Sequence, residues 1–461
     1  MDYILPYAVN CIDNIQVKEE KNKKRGCAGM NKAFITAVIF LVISASLTGC
    51  YDSREIEELA YVMTIGIDKG VTDKLRLTVQ FSTMSGPTAA AGGGMGGGGG
   101  NGGSQDGGEQ DGYTAITMDV PSFFTGIDMI NTIVPRKLNF MHTKALVFSE
   151  EMAREGIGDY IAPIVRYREI RRTIHVIVCK GSAADFIKEN KPFIGTTLSK
   201  TMEIMMEGPY DTGFFPHVTL YDIYNNMKST YRQPVAILGT VNDFKSFKEE
   251  GPPWGSGFKT GGDYYAGELP RKGGNKLELF GCAVFNGDKM VGELSGHETR
   301  IMMIGRGEFT KGTFTIKDPK KPDLIVPIEV YQEIKPKIKI RFEKDKPVIH
   351  LRVFLEGEIL AVQSRINYET VGLKPLLEKS LERHIKSELD RLIQKGKDMN
   401  IDLLEFGRTA VSHFDTIQEW ERFNWLRQFE KAEIYTDVEF ALRRTGGLIK
   451  SSPIMTREGK K

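Results

Sequence analysis

The residues with the clearest chemistry lie near the front of the chain. Ala33 to Leu47 is a run of 15 residues without a charge, preceded by Lys32 and ending in Leu47-Thr48-Gly49-Cys50. A membrane-spanning helix needs about 20 apolar residues, so the run is short for one. It fits the hydrophobic core of a secretory signal. Small residues followed by a cysteine, directly after such a core, form a lipobox. Cys50 is the expected lipid attachment site: its sulfur takes a diacylglyceryl group, and cleavage before it frees its amine. At about 0.8 kcal/mol per buried methylene, two acyl chains anchor a protein without a transmembrane helix. Residues 1–49 are then a signal peptide, absent from the mature protein. Residues 1–29 fit this less well, with a charged run from Lys18 to Arg25 and two more cysteines, Cys11 and Cys27. Either they are a long n-region or translation starts at Met30; the reading favours Met30.

Other reactive residue types form no recognisable constellation. His297-Glu298 begins like a zinc-protease helix, but Ile301 stands where the second histidine would be. The histidines at 142, 175, 217, 297, 350, 384 and 413 show no metal-ligand spacing. There is no G-x-S-x-G elbow. A G-x-G-x-x-G match falls in the tract GGGMGGGGGNGG, residues 92–103, where it carries no information. No catalytic, cofactor or metal residues are therefore assigned, and the expectation is a non-enzyme. Cys179 and Cys282 sit in apolar runs. They could bridge in an oxidising space, but two separately buried thiols are favoured. Arg166, Arg168, Arg171 and Arg172 form a basic cluster. It reads as a solvated loop, or more sharply as a contact to anionic lipid or a partner. Trp420, Phe423, Trp425, Leu426 and Phe429 point nearly all round one helix over Ile417–Phe429, which makes them core, with a share available for docking.

The chain that must position these residues has 461 residues, enough for two or three domains. It carries 62 Lys/Arg and 60 Asp/Glu. Six basic and four acidic residues fall in 1–49, so residues 50–461 hold 56 of each and are neutral. That excludes a nucleic-acid protein held by phosphate neutralisation. Tyr61–Asp68 and Leu75–Phe81 read as an antiparallel pair, the second half-buried by its alternation. A polar helix is expected over Asp52–Leu59. Strands at Tyr113–Val120, Thr143–Phe148, Thr173–Cys179 and Pro234–Leu238 alternate with helices at Phe123–Val134, from Ser149, and at Tyr160–Tyr167, Ser182–Glu189, Thr196–Glu207 and Thr219–Met227. Leu277–Phe285 and Lys289–Leu294 flank an Asn286-Gly287 hairpin turn. Ile325–Tyr331, Lys337–Phe342 and Val348–Leu355 follow as alternating strands. Leu373, Leu376, Leu377, Leu381, Ile385, Leu389, Leu392 and Ile393 line one face of a long helix ending at Gly396. Glu433–Leu442 is a closing strand.

The fold class expected is α+β, a multi-subdomain extracytoplasmic lipoprotein. A mixed α/β N-terminal domain spans 50–243, with a glycine-rich insert at 86–112. A linker follows at 244–276. A C-terminal domain at 277–446 carries an antiparallel sheet and one long helix, as one unit or as subdomains 277–330 and 331–446. Residues 447–461 are a tail.

Over nearly the whole mature length the chain resembles the Ger(x)C spore germination lipoproteins, the C subunits of nutrient germinant receptors. The match is carried in order by Cys50-Tyr51-Asp52-Ser53-Arg54-Glu55-Ile56-Glu57-Glu58-Leu59-Ala60, by Gly66-Ile67-Asp68-Lys69-Gly70 and by His142 to Arg172. It continues with FGCAVFNGDKMVGELSGHETR at 280–300 and Asp402-Leu403-Leu404-Glu405-Phe406-Gly407. Tyr51 replaces the family's usual tryptophan, and the pure-glycine insert is a departure. The resemblance implies a protein lipid-anchored on the outer, extracytoplasmic face of the spore inner membrane. Its partners would be an integral-membrane A subunit and a transporter-like B subunit, and its role nutrient-triggered germination. The alternative is a solute-binding lipoprotein of a transporter, against which the C-terminal antiparallel strands argue.

Overall fold

The computed structural model describes residues 34, 36–40, 58–82, 112–191, 198–250, 261–344, 346–444 and, in the tail, 451–452, 454–457 and 459–460. Cys50 and the glycine tract at 92–103 lie outside these residues. So does nearly all of the helix expected over Asp52–Leu59, whose last residue opens a strand instead. Residues 36–40 are helical and exposed.

Strand β1 (Leu59–Lys69) is central to a nine-stranded sheet. On one side it pairs antiparallel with β2 (Leu75–Ser82), which pairs antiparallel with β3 (Tyr113–Val120). On the other side run parallel strands β5 (Ala145–Ser149), β6 (His175–Lys180) and β7 (Val235–Val241). Short β4 (Lys137–Asn139) pairs in parallel with the start of β1. Parallel strands need cover on both faces, and their near-continuous Val, Ile and Leu content meets that need. The cover comes from α1 (Phe123–Asn131), α2 (Glu150–Glu155), α3 (Gly158–Arg166), α4 (Ala183–Lys188), α5 (Leu198–Thr212) and α6 (Leu220–Met227). Ser122, Ser149, Ser182 and Thr219 cap α1, α2, α4 and α6 by accepting from backbone N–H groups.

The motif Gly66-Ile67-Asp68-Lys69-Gly70 explains itself in this packing. The Asp68 carboxylate at the end of β1 accepts from Ala183 N (2.7 Å) and Ala184 N (2.9 Å) at the start of α4. A side chain at Gly66 would meet Ile187 Cδ1 at 2.7 Å, so glycine lets α4 lie close on β1. The same helix corrects the half-buried reading of β2. Thr78 and Gln80 are each 1% exposed. Gln80 Nε2 donates to Ile187 O (3.2 Å), so α4 covers the polar face too.

The sheet continues across residues 244–276. β7 pairs antiparallel with β8 (Leu277–Asn286), and β8 with β9 (Lys289–Leu294). The end of the intervening segment lies along β8, where Gly267 N (2.6 Å) and Arg271 Nε (3.2 Å) donate to Glu278. The division between sheets falls after β9, at α7 (Gly296–Arg306). That helix is buried nearly all round.

The second sheet holds β10 (Lys311–Lys317), β11 (Ile325–Tyr331), β12 (Lys337–Glu343), β13 (Lys346–Ile359) and β14 (Glu433–Arg444). Its pairs are antiparallel except β13–β14, which is parallel. The sheet is thus antiparallel as expected apart from that one pair. A parallel neighbour needs a crossover, and α8 (Lys374–Asp398) with the helices after it supplies one. α8 also runs past Gly396: the turn comes at Asn400, whose φ is 56°. Leu377, Leu381, Ile385, Leu389, Leu392 and Ile393 are buried, whereas Leu376 is 42% exposed. After α9 (Gly407–Ala410), the single helix expected over Ile417–Phe429 is two, α10 (Ile417–Phe423) and α11 (Trp425–Phe429). Asn424, at φ 53°, breaks them. The break lets Trp420 and Trp425 stack 5.7 Å apart in one core.

Candidate functional site

The loop Asp402–Gly407 and the end of α7 meet α6 and the start of β7 around a cleft of about 400 Å³. Arg232, Arg306, Arg408, Glu308, Glu405 and His217 are among its lining residues. The loop is held from within. Asp402 Oδ2 accepts from Gly407 N (2.7 Å) and Trp425 Nε1 (3.0 Å). Arg306 Nε donates to Leu403 O (2.7 Å), and its Nη1 stands 3.5 Å from Glu405. Arg232 Nε approaches the other Glu405 oxygen, also at 3.5 Å. Glu405 adopts φ 56°, which turns its carboxylate between the two guanidinium groups.

Charge in this cleft is close to balanced. Burial works against the charged form of Arg306, but the carboxylates of Glu405 and Glu308 outweigh it and its pKa is raised. Glu308 is open to solvent at the rim but crowded by protein further in, and burial raises its carboxyl. Burial pushes Asp402 up to about 6, against the opposing pull of its two N–H donors. Three buried polar atoms here have no hydrogen-bond partner among the described residues: Arg232 Nε, Arg306 Nη2 and Asp402 Oδ1. The arrangement suits holding two halves of a protein together through ion pairs, or admitting a small polar molecule. A second buried arginine of α7 has the first of these roles. Arg300 donates to Thr212 O (2.7 Å) and Thr313 O (2.9 Å) and lies 3.5 Å over the Phe214 ring. It ties α5 to β10.

The residues singled out in the sequence fall in different places. Cys50 lies outside the described residues. Cys179 and Cys282 are buried free thiols, each with its pKa raised by burial, Cys282 to about 12. Glu298 is the third residue of the α7 capping box and is held by Lys395 at 2.7 Å. His297 is buried, and burial lowers it to about 4. Among the described residues no group of His, Cys, Asp and Glu could hold a metal ion. Trp420, Trp425 and Phe429 are core. The four arginines of the basic cluster are exposed. Sequence reading missed Arg300, Arg306 and the helix that carries them. Ser295-x-x-Glu298 and Gly307, at φ 74°, bracket α7 and were the signal that could have found it.

The spore germination protein N-terminal domain family matches residues 52–241. The spore germination B3/GerAC-like C-terminal family matches residues 280–446. The chain belongs to the Ger(x)C family of spore germination proteins. Spore germination protein KC of Bacillus subtilis (strain 168) is 24% identical over 433 residues, covering 92% of this chain and 98% of that one. Spore germination protein GerQC of Bacillus cereus is 22% identical over 396 residues, 83% of this chain and 92% of the other. The crystal structure of the GerBC protein aligns with a TM-score of 0.48 at 15% identity, covering 82% of this chain and 96% of that one. The β7–β8 pair joins the two matched regions in one sheet, and the cleft draws its walls from both. No helix among the described residues is long and apolar enough to cross a membrane.

Proposed function

We propose that this chain is the lipid-anchored C subunit of a spore nutrient-germinant receptor. It acts by assembly with integral-membrane A and B subunits on the outer face of the spore inner membrane, not by turnover. The observation that carries this reading is the order of parts: a lipobox ending at Cys50, then the two germination domains in sequence. On this reading 50–243 and 277–446 are the N- and C-terminal germination domains, joined through 244–276.

Two measurements test it. A palmitate analogue should label the parent protein and not the Cys50→Ala variant, which should leave the membrane or accumulate unprocessed. Label retained by the variant would contradict the anchor. Mild detergent extraction of spore membranes should recover the chain with two integral-membrane proteins. Recovery of the chain alone would contradict the assembly.

A further inference from the structure

One end of the first sheet gathers cationic and apolar groups around the start of β1. β1 begins there at Leu59, paired with Lys137 of β4. Two residues on, the Tyr61 ring stands edge-on to His142 with centroids 4.9 Å apart. The other parallel strands start from the same edge: Lys144 N donates to Met63 O (2.8 Å) and His175 N to Lys144 O (2.9 Å). α3 ends at Arg166, and the loop from it to β6 holds Arg168, Arg171 and Arg172. All four arginines are exposed, and none makes an ion pair among the described residues. Arg171 lines a small cavity together with Met141, His142 and Lys144, which places it beside the start of β1.

Within 166–172 four arginines outnumber one carboxylate, Glu169, so the segment stays net positive. Glu203 is held by Lys144 and Lys200, each at 2.9 Å. Glu169 accepts from Phe140 N at 3.5 Å. Two apolar side chains stand out at the same end, Ile133 (58% exposed) and Met141 (49%). Like charges gathered in excess repel one another unless an anionic surface meets them. The covalent chain indicates which surface. Leu59 is nine residue steps from Cys50, and a chain of that length reaches about 30 Å at most. β1 itself extends about 36 Å away from this end, at about 3.3 Å for each of its 11 residues.

We infer that this end of the sheet is the membrane-facing surface. Arg166, Arg168, Arg171 and Arg172 lie on anionic lipid headgroups, with Ile133 and Met141 at the headgroup boundary. The inference rests on the acylation of Cys50 proposed above. Basic residues close to a bilayer are drawn to its anionic lipids, and salt screens the attraction. The acyl chains then hold the protein, and the arginines set its orientation.

The test uses the full acylated protein reconstituted into vesicles of phosphatidylcholine, with or without phosphatidylglycerol. Flotation reads the anchor, and hydrogen–deuterium exchange reads the orientation. Parent protein should float with both vesicles. Exchange in residues 133–144 and 166–174 should slow several-fold only where phosphatidylglycerol is present, and recover in high salt. A variant carrying R166Q, R168Q, R171Q and R172Q should float equally, melt at nearly the parent temperature and lose the protection. Failure of the parent to float would overturn the anchor and this inference with it. Floating with protection elsewhere, or with none, would overturn the inference alone. So would a fourfold variant that keeps its protection on these vesicles but is extracted from spore membranes without its protein partners, since the face would then dock protein.

Discussion

Asp402 joins the folding of the second half to pH. It is 1% exposed and its pKa is raised to about 6 by burial, from 3.8. The folded state therefore holds the proton more tightly than the unfolded state between pH 4 and 6. The sign follows: this group contributes most below about pH 4, and that contribution is lost as pH rises through about 6. At about 1.4 kcal/mol per pKa unit the loss is about 3 kcal/mol. His175 and His297 act in the opposite sense. Burial lowers both to about 4, so their contribution is present above pH 6.5 and lost as pH falls. Asp402→Asn isolates the carboxyl. Urea unfolding of parent and variant across pH 4–7 should show the variant gaining on the parent as pH rises. A difference independent of pH would contradict the assignment.

At the scale of elements, α8 serves two surfaces. Its apolar stripe packs inward, and its polar side chains cover the free edge of β14. Phe440 N donates to Glu382 (3.1 Å) and Leu442 N to Glu378 (2.9 Å). Lys386 Nζ donates to Thr436 O (2.8 Å) and Lys397 Nζ to Ala432 O (2.6 Å). An exposed edge strand is a template for aggregation, and this one is capped by a helix. Leu381→Ala or Leu389→Ala should cost about 2–5 kcal/mol, as buried leucines do. Leu376→Ala and Lys379→Gln, at exposed positions, should cost under about 0.5 kcal/mol. Denaturant midpoints measure both; equal, small losses at all four sites would mean the stripe is not core. The stripe was legible in sequence because leucines at 3–4 spacing persist over many turns. α7 was not, because a helix buried all round has no polar face to set a period. The break at Asn424 was hidden likewise: aromatic residues pointing all round read as one buried helix, and only asparagine's tolerance of positive φ marks the turn. In the cleft, the sequence offered the Asp402–Gly407 motif but not its partners. Arg232 and Arg306 are distant in sequence and meet it only through the tertiary fold.

At the largest scale, Glu57–Lys461 is bound together by the β7–β8 pair and the α7 arginines. The regions matched by the two germination families share one sheet, so residues 1–243 expressed alone would leave the β7 edge bare. That fragment is expected to aggregate, while the full chain melts in one transition; a soluble, cooperatively folding fragment would contradict the coupling. The glycine tract should matter far less. Shortening residues 92–103 to a few Gly/Ser should leave the melting temperature nearly unchanged, because loop-closure entropy varies slowly with length. Dipicolinate release from spores tells whether this chain is a receptor subunit needed for the nutrient response. The measurement compares parent and deletion spores that lack sibling receptors, given the nutrient and then a stimulus that bypasses nutrient receptors. Deletion spores are expected to form normally, hold their dipicolinate, release none with nutrient and release it fully with the bypass. Nutrient-triggered release that persists without this chain, and without any other C subunit, would contradict that role.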